Sequence, residues 1–178
     1  MRISLIALLI TLLATLVVPA PLAAKGPTLK ISIKGDGLTT PIDLTDPSIR
    51  AFNVWEGPGT FVNDVEQTEG FIIDWGKGIV AERPSELQHY EVSFYANHQG
   101  ERLVYVVSYE YNPSTQQGYI YLPGKVDEWY ILNTLSIYRH GREGNWFLAT
   151  RAWQDFVRPI IARVRSVRPG ATARAVEQ

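Results

Sequence analysis

The chain alternates apolar and polar residues with a period of two through its middle and changes, near residue 150, to a period of 3.6. Residues 28–34 (TLKISIK) set Leu29, Ile31 and Ile33 against Lys30, Ser32 and Lys34, the pattern of a half-buried strand. Residues 89–97, 102–111 and 118–122 are three β-rich runs joined by N-H-Q-G-E and N-P-S-T-Q-Q, both rich in turn residues, and they predict an antiparallel meander. A further hairpin is expected to run from Trp129 to Tyr138, turn at 140–144 and return over 146–149. Beyond it, Trp153, Phe156, Val157, Ile160, Ile161 and Val164 fall at i, i+3, i+4, i+7, i+8 and i+11, one apolar stripe of a helix capped by Thr150. Burying six such side chains is worth roughly 10 kcal/mol before entropy, so this helix is expected to pack on the sheet. Pro159 interrupts the pattern and predicts a kink or a fresh helix start, because an interior proline costs ~3 kcal/mol. Strands first and a helix last, without βαβ alternation, predict an α+β single domain: an antiparallel meander with a C-terminal amphipathic helix packed on it.

Shorter signals fill the rest. Gly35–Asp36–Gly37 is a turn, and 41–45 with Ile42 and Leu44 completes an edge hairpin. Asp46 before Pro47 reads as an N-cap followed by the residue favoured at the first helical position. Residues 53–70 lose all periodicity, and irregular connections of that length are often functional. The run F-I-I-D-W at 71–75 reads as the sheet resuming, buried on both faces, with Asp74 inside it.

With 46% hydrophobic and 20% charged residues among 178, the chain has the apolar content to fold. Seventeen basic against 18 acidic residues leave a formal charge of -1 and no basic surplus for nucleic acid. The absence of cysteine excludes disulfides, thiolate metal sites and cysteine nucleophiles.

Residues 1–24 carry one positive charge, Arg2, then an uncharged Leu/Ile/Val run that breaks at Pro19 and Pro21, the layout of a secretory signal peptide. Cleavage is expected near Ala23 or Ala24. The competing reading is an uncleaved anchor, since residues 3–24 are about the ~20 residues needed to cross a bilayer. Cleavage removes Arg2 and moves the charge to about -2. The organisation read from the sequence is thus a signal peptide over 1–24, one domain over 25–168 and a flexible tail over 169–178. The expected location is secreted or periplasmic, in a bacterial envelope, with membrane contact only through the uncleaved segment.

Nine tyrosines and five tryptophans are the strongest compositional signal. If Tyr111 pairs with Tyr119 across the connecting turn, Tyr109 lies opposite Tyr121, and Tyr105, Tyr109, Tyr111, Tyr119 and Tyr121 share one sheet face. A compatible register adds Tyr95, Ser93 and Glu91 to it, leaving Val92, Phe94, Val104, Val106, Ile120 and Leu122 for the core face. A flat apolar body with a polar tip suits a sugar ring or a peptide backbone. The competing reading is that cross-strand tyrosine pairs only stabilise the sheet beneath the C-terminal helix.

The charged candidates are Asp74, Glu91 and Glu110, carboxylates within apolar or aromatic strands, of which two facing one cleft would suit glycoside hydrolysis. A strand carboxylate paired with an arginine is the plainer alternative. Asp64, Glu66 and Glu69 cluster in the long loop without EF-hand spacing and read as a solvated acidic loop. His89, His98 and His140 form no zinc spacing, so neither metal nor cofactor is expected. No G-x-S-x-G elbow or phosphate loop is present. Arg151, Arg158, Arg163, Arg165 and Arg168 surround the C-terminal stripe and suit either an anionic partner or a solvated helix face.

The segments K-I-S-I-K-G-D-G-L-T-T-P-I-D-L-T-D-P, N-V-W-E-G-P-G-T, Y-E-V-S-F-Y, Y-E-Y-N-P-S-T-Q-Q-G-Y-I-Y-L-P-G-K and N-W-F-L-A-T resemble a family of bacterial exported proteins described only as hypothetical, over most of residues 29–157. The resemblance implies an envelope or secreted setting and one domain, and no activity, cofactor or catalytic residue. Three functional readings therefore stand. The first is a non-catalytic domain that binds a glycan or an exported protein partner through the tyrosine face and the 53–70 loop. The second is an envelope glycan hydrolase using two of Asp74, Glu91 and Glu110. The third is an assembly protein whose edge strand near Lys30 pairs with another chain.

Overall fold

A computed structural model describes residues 26–97 and 100–166; the expected signal segment over 1–24, the tail over 169–178 and His98 lie outside these residues. In chain order the strands are β1 (Thr28–Gly35), β2 (Ile42–Leu44), β3 (Phe61–Val62), β4 (Val65–Glu66), β5 (Gln88–Asn97), β6 (Glu101–Asn112), β7 (Gln117–Tyr121) and β8 (Trp146–Leu148). Two helices follow the meander, α1 (Tyr130–Ser136) and α2 (Arg151–Ser166). Six strands make one antiparallel sheet in the order β2-β1-β5-β6-β7-β8, and β3 and β4 form a separate small hairpin. The molecule is an α+β domain with an antiparallel sheet and a C-terminal helix.

α2 forms as its stripe dictates. Thr150 Oγ1 accepts from the Trp153 amide 3.2 Å away and so caps the first turn. Trp153, Val157 and Ile161 are buried against the sheet. The helix runs through Pro159, which sits on the exposed side, so the expected alternative of a second helix starting there does not occur. The capping expectation at Asp46 is met by a 3-10 turn, Pro47–Ala51, in which the Asp46 side chain accepts from the Ser48 amide at 2.8 Å.

Two expectations are corrected and a third is narrowed. Residues 130–136 form α1 rather than a strand, because a short apolar run such as Y-I-L-N-T-L-S carries no period that separates helix from strand. Tertiary contact decides it: α1 places Asn133 so that its amide replaces a missing strand, accepting from the Val106 amide (2.9 Å) and donating to the Val106 carbonyl (2.7 Å). Residues 71–75 are not a strand either. Phe71, Ile72 and Ile73 are buried and Ile73 makes one antiparallel bridge to Ala149, after which Trp75–Lys77 turns as a 3-10 helix. Finally, the β1–β2 hairpin lies at the sheet edge as expected, but β1 itself is the edge only at its Thr28–Lys30 end, since β2 flanks it over Ile31–Ile33 and β5 on the other side. The outermost strands are the three-residue β2 and β8, and β8 is itself covered by the bridges to Ile73 and Ile79. The cover on β8 protects that edge, while on the other side β2 pairs with only three residues of β1.

The 53–70 loop is held by a residue no sequence pattern marks. Arg139 is fully buried, and its guanidinium donates to the carbonyls of Val54 (2.8 Å), Glu56 (2.6 Å) and Pro58 (2.9 Å). It also lies over the rings of Phe71, Trp75 and Tyr105 at 5.1–5.4 Å. Gly59, at φ +81°, passes so close to the Tyr138 carbonyl that a side chain there would collide with backbone. Together these contacts turn an aperiodic segment into a fixed cover over one end of the sheet.

Candidate functional site

Register decides where each predicted tyrosine goes. β6 and β7 pair with Tyr111 opposite Gly118, Tyr109 opposite Ile120, Glu110 opposite Tyr119 and Ser108 opposite Tyr121. The pairing is one residue away from the expected one, and a one-residue slip exchanges the faces. Tyr105, Tyr109 and Tyr111 therefore share the α2 face with Tyr90, Val92, Phe94, Val107 and Ile120, while Tyr119, Tyr121 and Tyr95 face the other way with Glu91, Ser108 and Glu110. Val106 joins that second face instead of the core face expected for it.

On the α2 face, Tyr105 and Tyr109 are fully buried, so neither reaches an external ligand as the sequence reading required. Tyr109 stacks between Tyr90 (6.1 Å) and Tyr111 (6.4 Å) and meets the edge of Trp153 at 6.0 Å. Its ring lies over Gly118, where any side chain would strike it. Burial pushes the hydroxyls of Tyr105 and Tyr109 above the usual phenol range, with the Arg139 guanidinium beside Tyr105 pulling the other way, and among the described residues the Tyr109 hydroxyl has no hydrogen-bond partner. Only Tyr111, half-buried at the end of α2, keeps access to solvent among these three.

The opposite face is more polar and partly open. Lys30 pairs with Glu101 and stands 4.1 Å over the Tyr95 ring. Glu91 accepts from Lys34 (2.9 Å) and from the Trp129 indole (3.0 Å), and the Glu91 bond raises the Lys34 ammonium. Glu110 pairs with Arg83 and lies 3.4 Å from His89 Nδ1. Arg83 in turn lies 3.5 Å over the ring of Trp146, which packs on Tyr121 at 4.9 Å. Tyr121 is half-buried and donates to Asp127 at 2.8 Å; burial first, then the Asp127 carboxylate, pushes its hydroxyl up. Tyr119 is buried at the centre. Glu91 and Glu110 are diagonal neighbours, about 7–8 Å apart by strand geometry, but both are engaged by cations. The plainer reading, carboxylates paired with basic partners, describes their surroundings.

Asp74 lies elsewhere, where the 53–70 loop meets the 3-10 turn at Trp75. There an open cleft of about 580 Å³ is lined by Glu66–Gly70 and Ile73–Gly76, together with Pro58, Arg142 and Thr150. Trp75 is half-buried, donates its indole N–H to the Gly70 carbonyl (2.9 Å) and packs edge-on against Phe147 at 5.3 Å. Glu66 accepts from the Gly59 amide (2.9 Å), which with His140 (3.1 Å) and Arg142 nearby holds its carboxyl below the usual range. The cleft's carboxylates Glu66, Glu69 and Asp74 outnumber its one guanidinium, Arg142. Among the described residues no group of three or more acidic or histidine side chains is arranged to hold a metal ion, and no helix is long and apolar enough to cross a membrane.

Sequence reasoning missed Trp75 as a wall of this cleft, Arg139 beneath it, and Arg83 over Trp146. The Arg139 and Arg83 contacts join segments distant in sequence, 83 residues for Arg139 and Glu56, while Trp75 meets Gly70 only five residues away in an aperiodic stretch, and in none of the three does a local spacing betray the contact. Set against family models, curated proteins and solved structures, the chain matches none.

Proposed function

We propose that the chain is exported and acts as a non-catalytic binding domain that takes a neutral or amino-bearing glycan in the cleft between the 53–70 loop and Trp75. The observation that carries this reading is the cleft itself: about 580 Å³, open, and lined by an indole and by Glu66, Gln67, Thr68, Glu69 and Asp74. An aromatic plane bordered by hydrogen-bonding side chains is the chemistry that holds a sugar ring. The excess of carboxylates disfavours acidic polymers. Arg139 supports the reading by fixing the loop carbonyls in advance, so that little ordering entropy opposes binding. Export rests on the signal-like pattern of residues 1–24, and the resemblance to bacterial exported proteins agrees with it.

Tryptophan fluorescence titrated with cell-wall glycan fragments tests this. A saturable change is expected that weakens at least tenfold in Trp75→Phe, which keeps the packing on Phe147, and in Asp74→Ala. No response to any fragment, or a response indifferent to both substitutions, removes the reading. A hydrolase reading keeps one specific observation, that Asp74 shares this open cleft with Glu69 and Glu66. Product analysis of the same titration separates the two: intact fragments mean a binder, shortened ones an enzyme.

A further inference from the structure

A second concavity, which shares no lining residue with the first, lies between the end of α2 and the meander, with a volume of about 230 Å³. It is a slot rather than a groove. Tyr90, Tyr109 and Tyr111 form a stacked series along one side, and Ile161 and Ala162 of α2 form the other. Its lining is chiefly apolar, and two guanidinium groups, Arg158 and Arg165, border it two turns apart on one helix face.

The two arginines are not equivalent. Arg158 is committed, donating to Asp155 (3.1 Å), to the Gln116 side chain (3.0 Å) and to the Gln154 carbonyl (3.2 Å). Arg165 has no carboxylate partner among the described residues; its one side-chain bond is a long 3.4 Å contact to the Tyr90 hydroxyl, which itself donates to Gln88. The Tyr109 hydroxyl is buried and unpartnered. An unneutralised guanidinium beside flat apolar walls is complementary to an anion carried on a ring. The volume lies just under the range typical of drug-sized ligands, roughly 300–1,000 Å³, and so limits the ligand to one or two rings.

We propose that this slot binds a compact ring-bearing carboxylate, its apolar body against Tyr111, Pro113 and Ala162, with the buried Tyr90 and Tyr109 rings behind that wall, and its carboxylate on the Arg165 guanidinium. The arginines and tyrosines that the sequence singles out separately thus converge on one site. The proposal is independent of the glycan cleft: the two sites share no lining residue.

The test is calorimetric titration of the purified protein with 2-naphthoate and with its neutral counterpart 2-naphthalenemethanol. Naphthoate is expected to bind at least tenfold more tightly than the alcohol. Arg165→Gln should erase that preference. Ala162→Phe, an exposed substitution that fills the slot from the helix side, should abolish binding of both while circular dichroism and melting temperature stay unchanged. Trp75→Phe should leave naphthoate binding as it was, which keeps the outcome separate from that of the glycan titration. Absence of naphthoate binding overturns the proposal, as do equal affinities for acid and alcohol or binding that survives Ala162→Phe.

Discussion

Tyr109 and Tyr121 sit on adjacent strands of one sheet and yet live in different solvents. Tyr109 is sealed beneath α2 between two other tyrosines and Trp153, with its hydroxyl unpartnered. Tyr121 lies on the far face, half-exposed, with its hydroxyl on Asp127 and its ring on Trp146. Nothing in their side chains differs; only their parity in the β6–β7 register does. A tyrosine-rich sheet is therefore not evidence of a tyrosine surface. On the α2 face the rings serve as bulk, while on the other they serve as amphipathic groups held among ion pairs.

The strongest way to break this contrast is to remove the cover that seals the α2 face at the loop end. Arg139→Leu leaves the carbonyls of Val54, Glu56 and Pro58 without their charged donor, each such bond being worth roughly 1.5–3 kcal/mol. A loss of about 5 kcal/mol is expected in urea unfolding, together with rapid amide exchange across 53–60. A loss under 1 kcal/mol would mean that the loop is held by its own turns. Next, Tyr109→Ala should cost about 3–5 kcal/mol, the range for deleting a large buried aromatic side chain, against about 2 kcal/mol for Tyr121→Ala, which loses a half-buried ring and the bond to Asp127. Equal costs would show that the two faces are alike in burial. Asn133→Ala should cost about 2 kcal/mol, because the Val106 amide and carbonyl are then buried without a partner.

The pH dependence sharpens the same contrast. Burial raises the Tyr105 and Tyr109 hydroxyls in the folded chain above their unfolded value of about 10. A raised pKa means that the folded state holds the proton more firmly. The corresponding stability is complete below pH ~10 and is lost as pH climbs past it toward the folded values. Absorbance at 295 nm should thus show the more exposed of the nine tyrosines ionising first, and the buried pair only together with unfolding. A single smooth titration with the fold intact would place Tyr105 and Tyr109 in contact with water.

Legibility in the sequence followed the range of the interactions. The period-two runs and the 3.6 stripe predicted the meander, the β1–β2 hairpin and α2, because binary pattern and local capping act over a few residues. The register did not follow, since N-P-S-T-Q-Q permits more than one pairing and the choice is made by packing: Gly118, not Tyr119, must stand opposite Tyr111 for the Tyr109 ring to lie flat. α1 was hidden for the same reason, its identity resting on Asn133 meeting Val106, 27 residues away. The loop's importance was visible as an absence of period, but its cleft depends on Trp75 and its support on Arg139, neither marked by spacing.

The smallest expected effect is also the most discriminating. Tyr109→Phe removes only a hydroxyl that is buried and has no partner. Desolvating a hydroxyl without a compensating bond costs on the order of 1–3 kcal/mol, so its deletion should leave stability unchanged or raise it by up to about 1 kcal/mol. The same change at Tyr121 deletes a bond to Asp127 and should lower stability by about 1 kcal/mol. The two substitutions are chemically identical and are predicted to differ in sign. If Tyr109→Phe proves destabilising, its hydroxyl has a partner in solution, and a water buried beside Gly118 becomes the first place to look.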